Sequence, residues 1–277
     1  MFADCDGPTD LPEELRTSMA NFINLNADVA EGWGAYDIGN DAELIKIIRS
    51  ANVACGFHAG DWNTMYRFCL LAKEHGVSVG AHPGFNDLWG FGRRQIKTKA
   101  SDVEYMVAYQ IGALQALAAY AGLKVTHLKA HGALSNMAAE DENYALAIGR
   151  AIKTVDPTII YVAQAATELE KAAIKLGLPL AREGFADRQY EDNLMLASRA
   201  LSGAVIRDPG AAAKQALRMA RDGDVVSRDG KVLKLEVDTI CVHGDEPTAV
   251  AVARAVKQTL EEHGIRIVPL PEVPRGD

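Results

Sequence analysis

The sequence predicts an α/β fold, a single-domain parallel β/α barrel with helices outside a ring of strands. Seven or eight short apolar or β-branched segments alternate with amphipathic segments from Phe22 onward. This alternation is typical of parallel strands that are connected by helices. An open, doubly wound sheet is the alternative, but neither G-x-G-x-x-G nor a Walker A loop follows any strand. We expect one seven-stranded barrel domain over residues 21–277, preceded by an N-terminal extension over residues 1–20.

The strands are predicted from runs rich in β-branched and apolar residues that end in glycine, proline or polar residues. In chain order they cover residues 22–29, 51–58, 77–84, the first part of 125–136, 158–164, 179–188 and 239–245, with a last short strand in 265–270. Residues 225–235, with Asp229 and Gly230 at the turn, predict a hairpin that projects from the barrel.

Helices are predicted where apolar residues recur with helical spacing. They cover residues 41–50, 64–76, 101–122, 143–153, 166–177, 208–223 and 247–263. Ser101 and Glu104 have the spacing of a capping box, which predicts that their helix begins there. Asp208 at the N-cap, Pro209 in the first turn and Gly223 after the last turn predict both ends of another helix.

Composition and charge narrow the classes of function. The chain has 277 residues, of which 48% are hydrophobic and 24% are charged, and its formal net charge is -8. This charge disfavours binding to nucleic acids or to anionic membranes. The cysteines are scattered, residues 1–20 do not resemble a leader, and the sequence contains no run of 18 apolar residues. These features predict a cytoplasmic protein without a membrane span. Small molecules or proteins are the expected partners, and self-association as a homo-oligomer stays open.

Polar and ionisable residues are concentrated at the carboxyl ends of the predicted strands, where β/α barrels carry their active sites. With a period of two, the sets that share a face are Asn24, Asn26 and Asp28, then His127, Lys129 and His131, then Cys241, His243 and Asp245. The other residues at this end are His58 and His82, which each end a strand, and Glu183, Asp187 and Arg188. We expect Lys129 and His131 to point into the barrel mouth, towards Asp28 and Asp245.

Each of these residues has a structural explanation when it is taken alone. A histidine at a strand end is more often a hydrogen-bonded packing residue than a functional one. The joint pattern is harder to explain in this way, because burying unpaired charges is costly. We therefore expect the cluster either to be paired internally or to bind a ligand.

A divalent metal ion is one candidate ligand. His127 and His131 have a spacing that chelates zinc on a helix, but on a strand the two residues are about 13 Å apart. Asp28, His58, Asp61 and His131 are the candidate ligands, since they would converge from different strands. The loop over residues 84–99 contains glycines, aromatic residues and four basic residues, so it is either a lid over an anionic ligand or a solvated basic loop.

Six motifs together resemble those of the LamB/YcsF family, the A subunits of 5-oxoprolinases. In order they are NADVAEGWG, ANVACGFHAGD, GAHPGFNDLWGFGRR, LKAHGAL, EGFADRQY and CVHGD. The resemblance extends from about Phe22 to Pro269 and is far more specific than any single motif. It implies a seven-stranded β/α barrel similar to polysaccharide deacetylases. It also implies ATP-dependent opening of 5-oxo-L-proline to L-glutamate, with ATP as co-substrate and with B and C subunits as partners.

If the chain has the function that the resemblance implies, each polar residue at the strand ends can be assigned a candidate role. Asp28 is the candidate general base, His58, His82 and His131 are acid/base or orienting groups, and Lys129 and Arg188 bind an oxyanion or carboxylate. Asp187 and Asp245 complete the candidate catalytic set. The candidate substrate-binding residues are Asn26, Glu31, Arg93, Arg94, Glu183 and His243. The alternative functions are a stand-alone metal-dependent deacetylase or amidohydrolase and a non-catalytic ligand-binding subunit.

Overall fold

A computed structural model describes residues 22–243 and 248–275 of the chain. Its strands are β1 (Phe22–Val29), β2 (Ser50–Ala54), β3 (Ser78–His82), β4 (Val125–Lys129), β5 (Ile160–Gln164), β6 (Leu180–Phe185), β7 (Asp224–Val226), β8 (Val232–Lys234), β9 (Thr239–Val242) and β10 (Arg266–Ile267). Strands β1 to β6 and β9 are parallel, and the pairing of β9 with both β6 and β1 closes them into a barrel. The predicted seven-stranded β/α barrel is therefore confirmed.

Helices surround the barrel and connect most of its strands. They are α1 (Asp41–Leu44), α2 (Trp62–His75), α3 (Ala100–Tyr120), α4 (Gly132–Glu140), α5 (Glu142–Val155), α6 (Glu168–Leu176), α7 (Pro209–Asp222) and α8 (Ala249–Glu262), with short 3-10 turns at Leu88–Gly90 and Leu270–Glu272. Within the described residues, no helix is both long and apolar enough to cross a membrane.

The two faces of the strands have opposite character, as the period of two predicts. Outward-facing residues such as Leu25, Leu128 and Ile240 are fully buried against the helices. Burial of each such side chain contributes about 1.5–3 kcal/mol to folding. The inward face is polar instead: Asn24 donates from Nδ2 to Ser50 Oγ at 2.8 Å, and this hydroxyl lies 2.7 Å from Ser78 Oγ. The barrel interior is therefore held by side-chain hydrogen bonds, and the apolar core lies between the strands and the helices.

The second strand is shorter than predicted, and His58 does not end it. β2 stops at Ala54, after which Gly56 adopts a φ of 91° and donates its backbone N–H to the carbonyl of Ala59. This turn places His58 in the loop that follows the strand. The glycine conformation explains the difference, because L-residues rarely adopt such a φ.

Two helix predictions also differ from the structure. The helix predicted over 41–50 ends at Leu44, because Ser50 already pairs with Asn26 as part of β2. The prediction of a capping box at Ser101 and Glu104 is wrong, since α3 begins at Ala100 and has no side-chain cap. The Tyr144 hydroxyl donates to the Thr98 carbonyl and accepts from the Thr98 amide, so a tertiary contact holds the start of this helix.

Other local predictions are confirmed. Asp208 accepts a hydrogen bond from the Ala211 amide, Pro209 is the first residue of α7, and Gly223 ends the helix with a φ of 62°. Strands β7 and β8 form the predicted antiparallel hairpin. The hairpin does not simply project, because Arg228 donates its backbone N–H to the carbonyl of Tyr190 in the loop after β6.

Candidate active site

Lys129, the last residue of β4, is the centre of a buried charged network. Its ammonium group lies 3.0 Å from Asp28 Oδ1, 3.2 Å from Glu183 Oε1 and 2.9 Å from Cys241 Sγ. These three partners come from β1, β6 and β9, so the network crosses the barrel interior. The expected approach of Lys129 to Asp28 is confirmed, whereas Asp245 lies outside the described residues.

The network shifts the ionisation of its members. Burial opposes the charge on Lys129, but Asp28, Cys241 and Glu183 raise its pKa well above the usual value. Burial opposes the charge on Asp28 too, yet His82 and Lys129 hold its pKa well below the ordinary range. Burial raises the pKa of Glu183, and Asp28 adds to this effect. Lys129 and Asp28 are thus a buried ion pair, while Glu183 takes up a proton more readily than a solvated glutamate.

Asparagine side chains support this network from within the barrel. Asn52 on β2 donates from Nδ2 to Asp28 Oδ1 at 2.9 Å and to Asn26 Oδ1 at 2.7 Å. Asn26 in turn donates to Glu183 Oε1 at 3.1 Å. The amides orient the two carboxylates relative to Lys129. Asn52 is not among the site residues that the sequence predicts. Its position as a lone polar residue in an apolar strand was a usable signal.

Three histidines lie next to this network. His82, the last residue of β3, places Nε2 at 3.3 Å from Asp28 Oδ2 and at 3.0 Å from His131 Nδ1. His58 stacks on His131 with ring centroids 3.7 Å apart, and its Nε2 lies 3.2 Å from Glu31 Oε1. Burial lowers the pKa of both His58 and His131 well below the usual value, so both rings are neutral near neutral pH.

A metal-binding arrangement is present in this part of the site. One candidate ligand atom from each of Glu31, His58, His82 and His131 lies within 4.8 Å of the others. Asp61, a predicted ligand, is not in this group because its carboxylate caps α2 by accepting from the Asn63 and Thr64 amides. Asp28 belongs to a second group with Cys241 and His243.

The network and the histidines open into a cavity of about 440 Å³. This volume falls in the range of roughly 300–1,000 Å³ that is usual for small-molecule sites. Its lining includes Asp28, Glu31, His82, Lys129, His131 and His243 together with Arg93, Arg188 and Arg199. Acidic and basic groups thus face one cavity, which opens to the surface at the carboxyl end of the barrel.

Arg188 forms part of the basic wall of the cavity. It is only 7% exposed, and its Nη2 donates to the Ala197 carbonyl at 2.6 Å. Its Nε is buried and has no hydrogen-bond partner among the described residues. Burial and the nearby Arg199 lower the pKa of Arg188 to about 10. Such a position favours an anionic ligand, which would accept a hydrogen bond and reduce the repulsion between the guanidinium groups.

Asp187 and His243 form a separate pair at the same end of the barrel. His243 Nδ1 lies 2.8 Å from Asp187 Oδ1, and the His243 amide donates to Asp187 Oδ2 at 3.0 Å. Burial opposes ionisation of Asp187, but His243 keeps its pKa below the usual value. The aspartate therefore orients the imidazole, which lines the cavity.

The basic loop contributes one of its two predicted arginines to the cavity. Arg93 lines the cavity and lies over the Phe91 ring, with its Cζ 5.2 Å from the centroid. The Arg94 side chain is 67% exposed, pairs with Asp87 and is not part of the cavity lining. Gln164 and Arg199 line the cavity but were not predicted. Gln164 ends β5 and fits the strand-end rule, whereas Arg199 lies in a loop without a periodic signal.

The closed barrel and the polar cavity at its carboxyl end define a β/α barrel protein whose cavity has the position and size usual for a small-molecule site. The chain belongs to the LamB/YcsF family, whose model matches residues 23–275. A relative from Rhodopseudomonas palustris, named as the A subunit of 5-oxoprolinase, is 54% identical over 248 residues, which cover 89% of this chain and 98% of the relative. Another from Natranaerobius thermophilus, which has the same name, is 47% identical over 245 residues, or 88% of this chain and 95% of the relative.

Solved structures agree with this assignment. The structure described as a lactam utilization protein from Thermus thermophilus has a TM-score of 0.85 and 43% identity, and the match covers 89% of this chain and 99% of that one. The catalytic domain of a peptidoglycan N-acetylglucosamine deacetylase from Eubacterium rectale has a TM-score of 0.51 and 10% identity, with 92% and 90% covered. The second likeness concerns the fold alone.

Proposed function

We propose that this chain is the lactam-hydrolysing component of an ATP-dependent 5-oxoprolinase, which opens 5-oxo-L-proline to L-glutamate together with B and C subunits. The observation that carries the proposal is a single cavity that contains both the Lys129–Asp28 pair and the buried Arg188. The names of the relatives, which specify a component of 5-oxoprolinase and a lactam utilization protein, support the same reaction class. A cytoplasmic location stays a prediction.

The chemistry of a five-membered lactam explains the need for ATP. The ring amide is unstrained and a poor electrophile, so its carbonyl carbon resists attack by water. Transfer of the terminal phosphoryl group of ATP to the amide oxygen releases ADP and makes that carbon electrophilic. Water then adds to the carbon, the ring C–N bond breaks and the nitrogen takes a proton, which gives the acyl phosphate of glutamate. A second water hydrolyses this acyl phosphate and releases inorganic phosphate. The products are glutamate, ADP and phosphate.

The residues at the cavity floor suit the hydrolytic steps. In this proposal a neutral histidine accepts the proton of the attacking water, and Lys129 stabilises negative charge that develops on oxygen. The low pKa of Asp28 keeps it ionised but also makes it a weak base, so its proposed contribution is to hold the attacking water in position. His131 and His82 border the same space and are placed to orient water or to return a proton to the ring nitrogen.

The arginines that line the cavity are proposed to bind the carboxylate of the substrate. Arg188 has a buried Nε without a partner among the described residues, and a guanidinium group binds a carboxylate through two parallel hydrogen bonds. Arg93 and Arg199 border the same cavity and add positive charge. A carboxylate held there would direct the lactam ring towards Lys129 and Asp28.

The test is reconstitution with candidate B and C subunits. We expect little or no turnover of 5-oxoproline by the isolated chain, and ATP-coupled glutamate formation when the partners are added. Robust ATP-dependent hydrolysis by the isolated chain would remove the partner requirement. Hydrolysis without ATP would favour the stand-alone amidohydrolase, and binding of 5-oxoproline without turnover in the complex would favour a ligand-binding role.

Substitution of Arg188 tests substrate recognition in the same assay. A hydrogen bond to a charged group contributes about 1.5–3 kcal/mol, so Arg188→Gln is expected to raise KM by roughly 10- to 100-fold. Arg254→Gln is the matched control, because Arg254 is exposed on α8 and pairs with Glu43. An unchanged KM in folded Arg188→Gln would remove this residue from substrate recognition.

A further inference from the structure

The candidate ligand atoms of Glu31, His58, His82 and His131 converge from four different segments of the chain. His82 ends β3, His131 precedes α4, and Glu31 and His58 lie in the loops after β1 and β2. All four residues are buried, and the ligand atoms lie within 4.8 Å of one another. Four buried donors at this spacing match the ligand number of a tetrahedral metal site.

Backbone carbonyls determine which nitrogen of two of these histidines carries the hydrogen. His82 Nδ1 lies 2.8 Å from the Lys129 carbonyl oxygen, and His131 Nε2 lies 2.8 Å from the Phe91 carbonyl oxygen. A carbonyl oxygen only accepts, so both of these nitrogens must donate. The other two ring nitrogens, His82 Nε2 and His131 Nδ1, are therefore the ones available to bind a metal ion.

His82 Nε2 and His131 Nδ1 lie 3.0 Å apart. Glu31 Oε1 lies 3.7 Å from His131 Nδ1 and 3.2 Å from His58 Nε2, which adds a carboxylate to the same point. Two imidazole nitrogens and a carboxylate oxygen thus converge on one point, as the ligands of a single metal ion do. Histidines that bind metals almost always donate their other N–H to a carbonyl or carboxylate, as His82 and His131 do here.

We propose that Glu31, His58, His82 and His131 bind one divalent transition metal ion, with Zn²⁺ as the first candidate. Three imidazoles and one carboxylate are ligands that Zn²⁺ and Co²⁺ accept, whereas Mg²⁺ and Ca²⁺ prefer oxygen alone. The set differs from the one predicted from the sequence, since it contains Glu31 and His82 in place of Asp28 and Asp61.

The neighbouring group of Asp28, Cys241 and His243 is the less suitable site. The Lys129 ammonium lies 2.9 Å from Cys241 Sγ and 3.0 Å from Asp28 Oδ1, so a positive charge already satisfies two of its three members. A metal ion there would have to displace the lysine.

The proposed ion borders the same cavity as Lys129, because Glu31, His82 and His131 line it. A divalent ion held by these residues would supply a Lewis acid for the lactam carbonyl or for a bound phosphate. This chemical role rests on the proposed function, whereas binding of the ion does not.

Metal titration of the full-length chain in the absence of substrate tests the proposal. Chelator-treated protein is titrated with Zn²⁺ by calorimetry and with Co²⁺ by visible absorption. We expect one ion per chain and a cobalt spectrum of nitrogen and oxygen ligands without a thiolate charge-transfer band. Glu31→Gln and His131→Gln should each weaken binding by more than the roughly 10- to 100-fold that loss of an outer-sphere partner costs.

Two further variants make the result specific. His75→Gln is the matched control, since His75 is exposed on α2, and it should bind as the wild type does. Cys241→Ser should also leave binding unchanged. Loss of binding in Cys241→Ser, or no binding by folded wild-type protein at millimolar metal, would overturn the proposal. The wild-type stoichiometry needs no variant to fold. Because no substrate is present, failure of lactam turnover in the reconstituted complex would leave the metal result intact.

Discussion

At the scale of single residues, variants of Lys129 and Asp28 test whether the buried network is catalytic or only structural. The pair is buried, 3.0 Å apart and connected to Glu183 and Asn52. A buried ion pair alone is weak support for either stability or function, because desolvation offsets much of the attraction. Measurements of activity and stability on the same samples separate the two roles.

We predict that Lys129→Met and Asp28→Asn each lower turnover per folded molecule by about 10²-fold or more, which is the scale for loss of a positioned acid/base or charge-stabilising group. Turnover in the reconstituted complex and thermal unfolding are measured together. Lys171→Met is the control, because Lys171 is exposed on α6. A purely structural pair would instead cost about 3–5 kcal/mol of stability with full activity in the remaining folded molecules.

Asp41, at the start of α1, gives a pH prediction that is independent of the site. Burial raises its pKa from 3.8 to about 6, even though the Ala30 amide donates to its carboxyl group. Between these two values the unfolded chain is ionised while the folded chain keeps the proton. The contribution of Asp41 to stability is therefore present below about pH 4 and is lost as pH rises through 6.

We predict that Asp41→Asn raises the free energy of unfolding at pH 7 by about 1 to 3 kcal/mol, because the variant avoids burying a charge but keeps an oxygen acceptor for the Ala30 amide. The gain should disappear near pH 4, where the wild-type carboxyl is largely protonated in the folded state and close to its ordinary pKa in the unfolded state. Urea unfolding of both proteins across this range checks it. A difference that does not change with pH would contradict the assignment.

At the scale of elements, the loop after β3 determines how the histidines are held. The Phe91 carbonyl in this loop accepts a hydrogen bond from His131 at 2.8 Å, and the Gly92 carbonyl accepts from the Ala133 amide at 2.9 Å. Gly92 has a φ of 63°, and a Cβ there would lie 2.7 Å from His58 Cβ and 2.8 Å from His131 Cδ2. The loop can pack this closely only with glycine at position 92.

We predict that Gly92→Ala lowers turnover by at least roughly tenfold with little change in the circular dichroism spectrum, because a displacement of about 1 Å at a reacting group costs up to about 10²-fold. Gly177→Ala is the matched control: it has a φ of 64° but open space around the added carbon. Both variants carry similar backbone strain. Equal activities in the two would show that the contacts with the histidines do not matter.

At the scale of the whole molecule, closure of the barrel brings residues that are distant in sequence into one site. Lys129 and Asp28 are 101 positions apart, and Lys129 and Cys241 are 112 positions apart. They meet because the pairing of β9 with β1 closes the barrel. The carboxyl ends of all seven parallel strands then surround the same opening. Disruption of the β1–β9 pairing would therefore separate the network.

We predict that residues 1–20 are dispensable for this architecture. The family match begins at residue 23 and β1 begins at Phe22. Deletion of residues 1–20 should shift the melting temperature by no more than a few degrees, as measured by scanning calorimetry against the full chain. A large fall in melting temperature or in solubility would show that this segment packs on the barrel.

The sequence by itself determined the barrel class, the order of the strands and the polar inward face of β1 and β4, because these depend on local periodicity and on the geometry of parallel strands. It therefore located Asp28, His82 and Lys129 correctly at one end of the barrel. Local capping patterns also determined α7, where Asp208 and Gly223 act within a few residues of their own helix.

Only the tertiary structure decided which of these groups meet. Glu31, His58 and Arg199 lie in loops, whose paths depend on glycine turns and packing rather than on a repeating pattern. The exposure of Arg94 depends on the path of its loop, and the approach of His82 to His131 depends on closure of the barrel. The capping of α2 by Asp61 is local instead, and its position just before the helix was a usable signal in the sequence. Strand periodicity specifies the direction of a side chain, but only closure of the barrel specifies its partner.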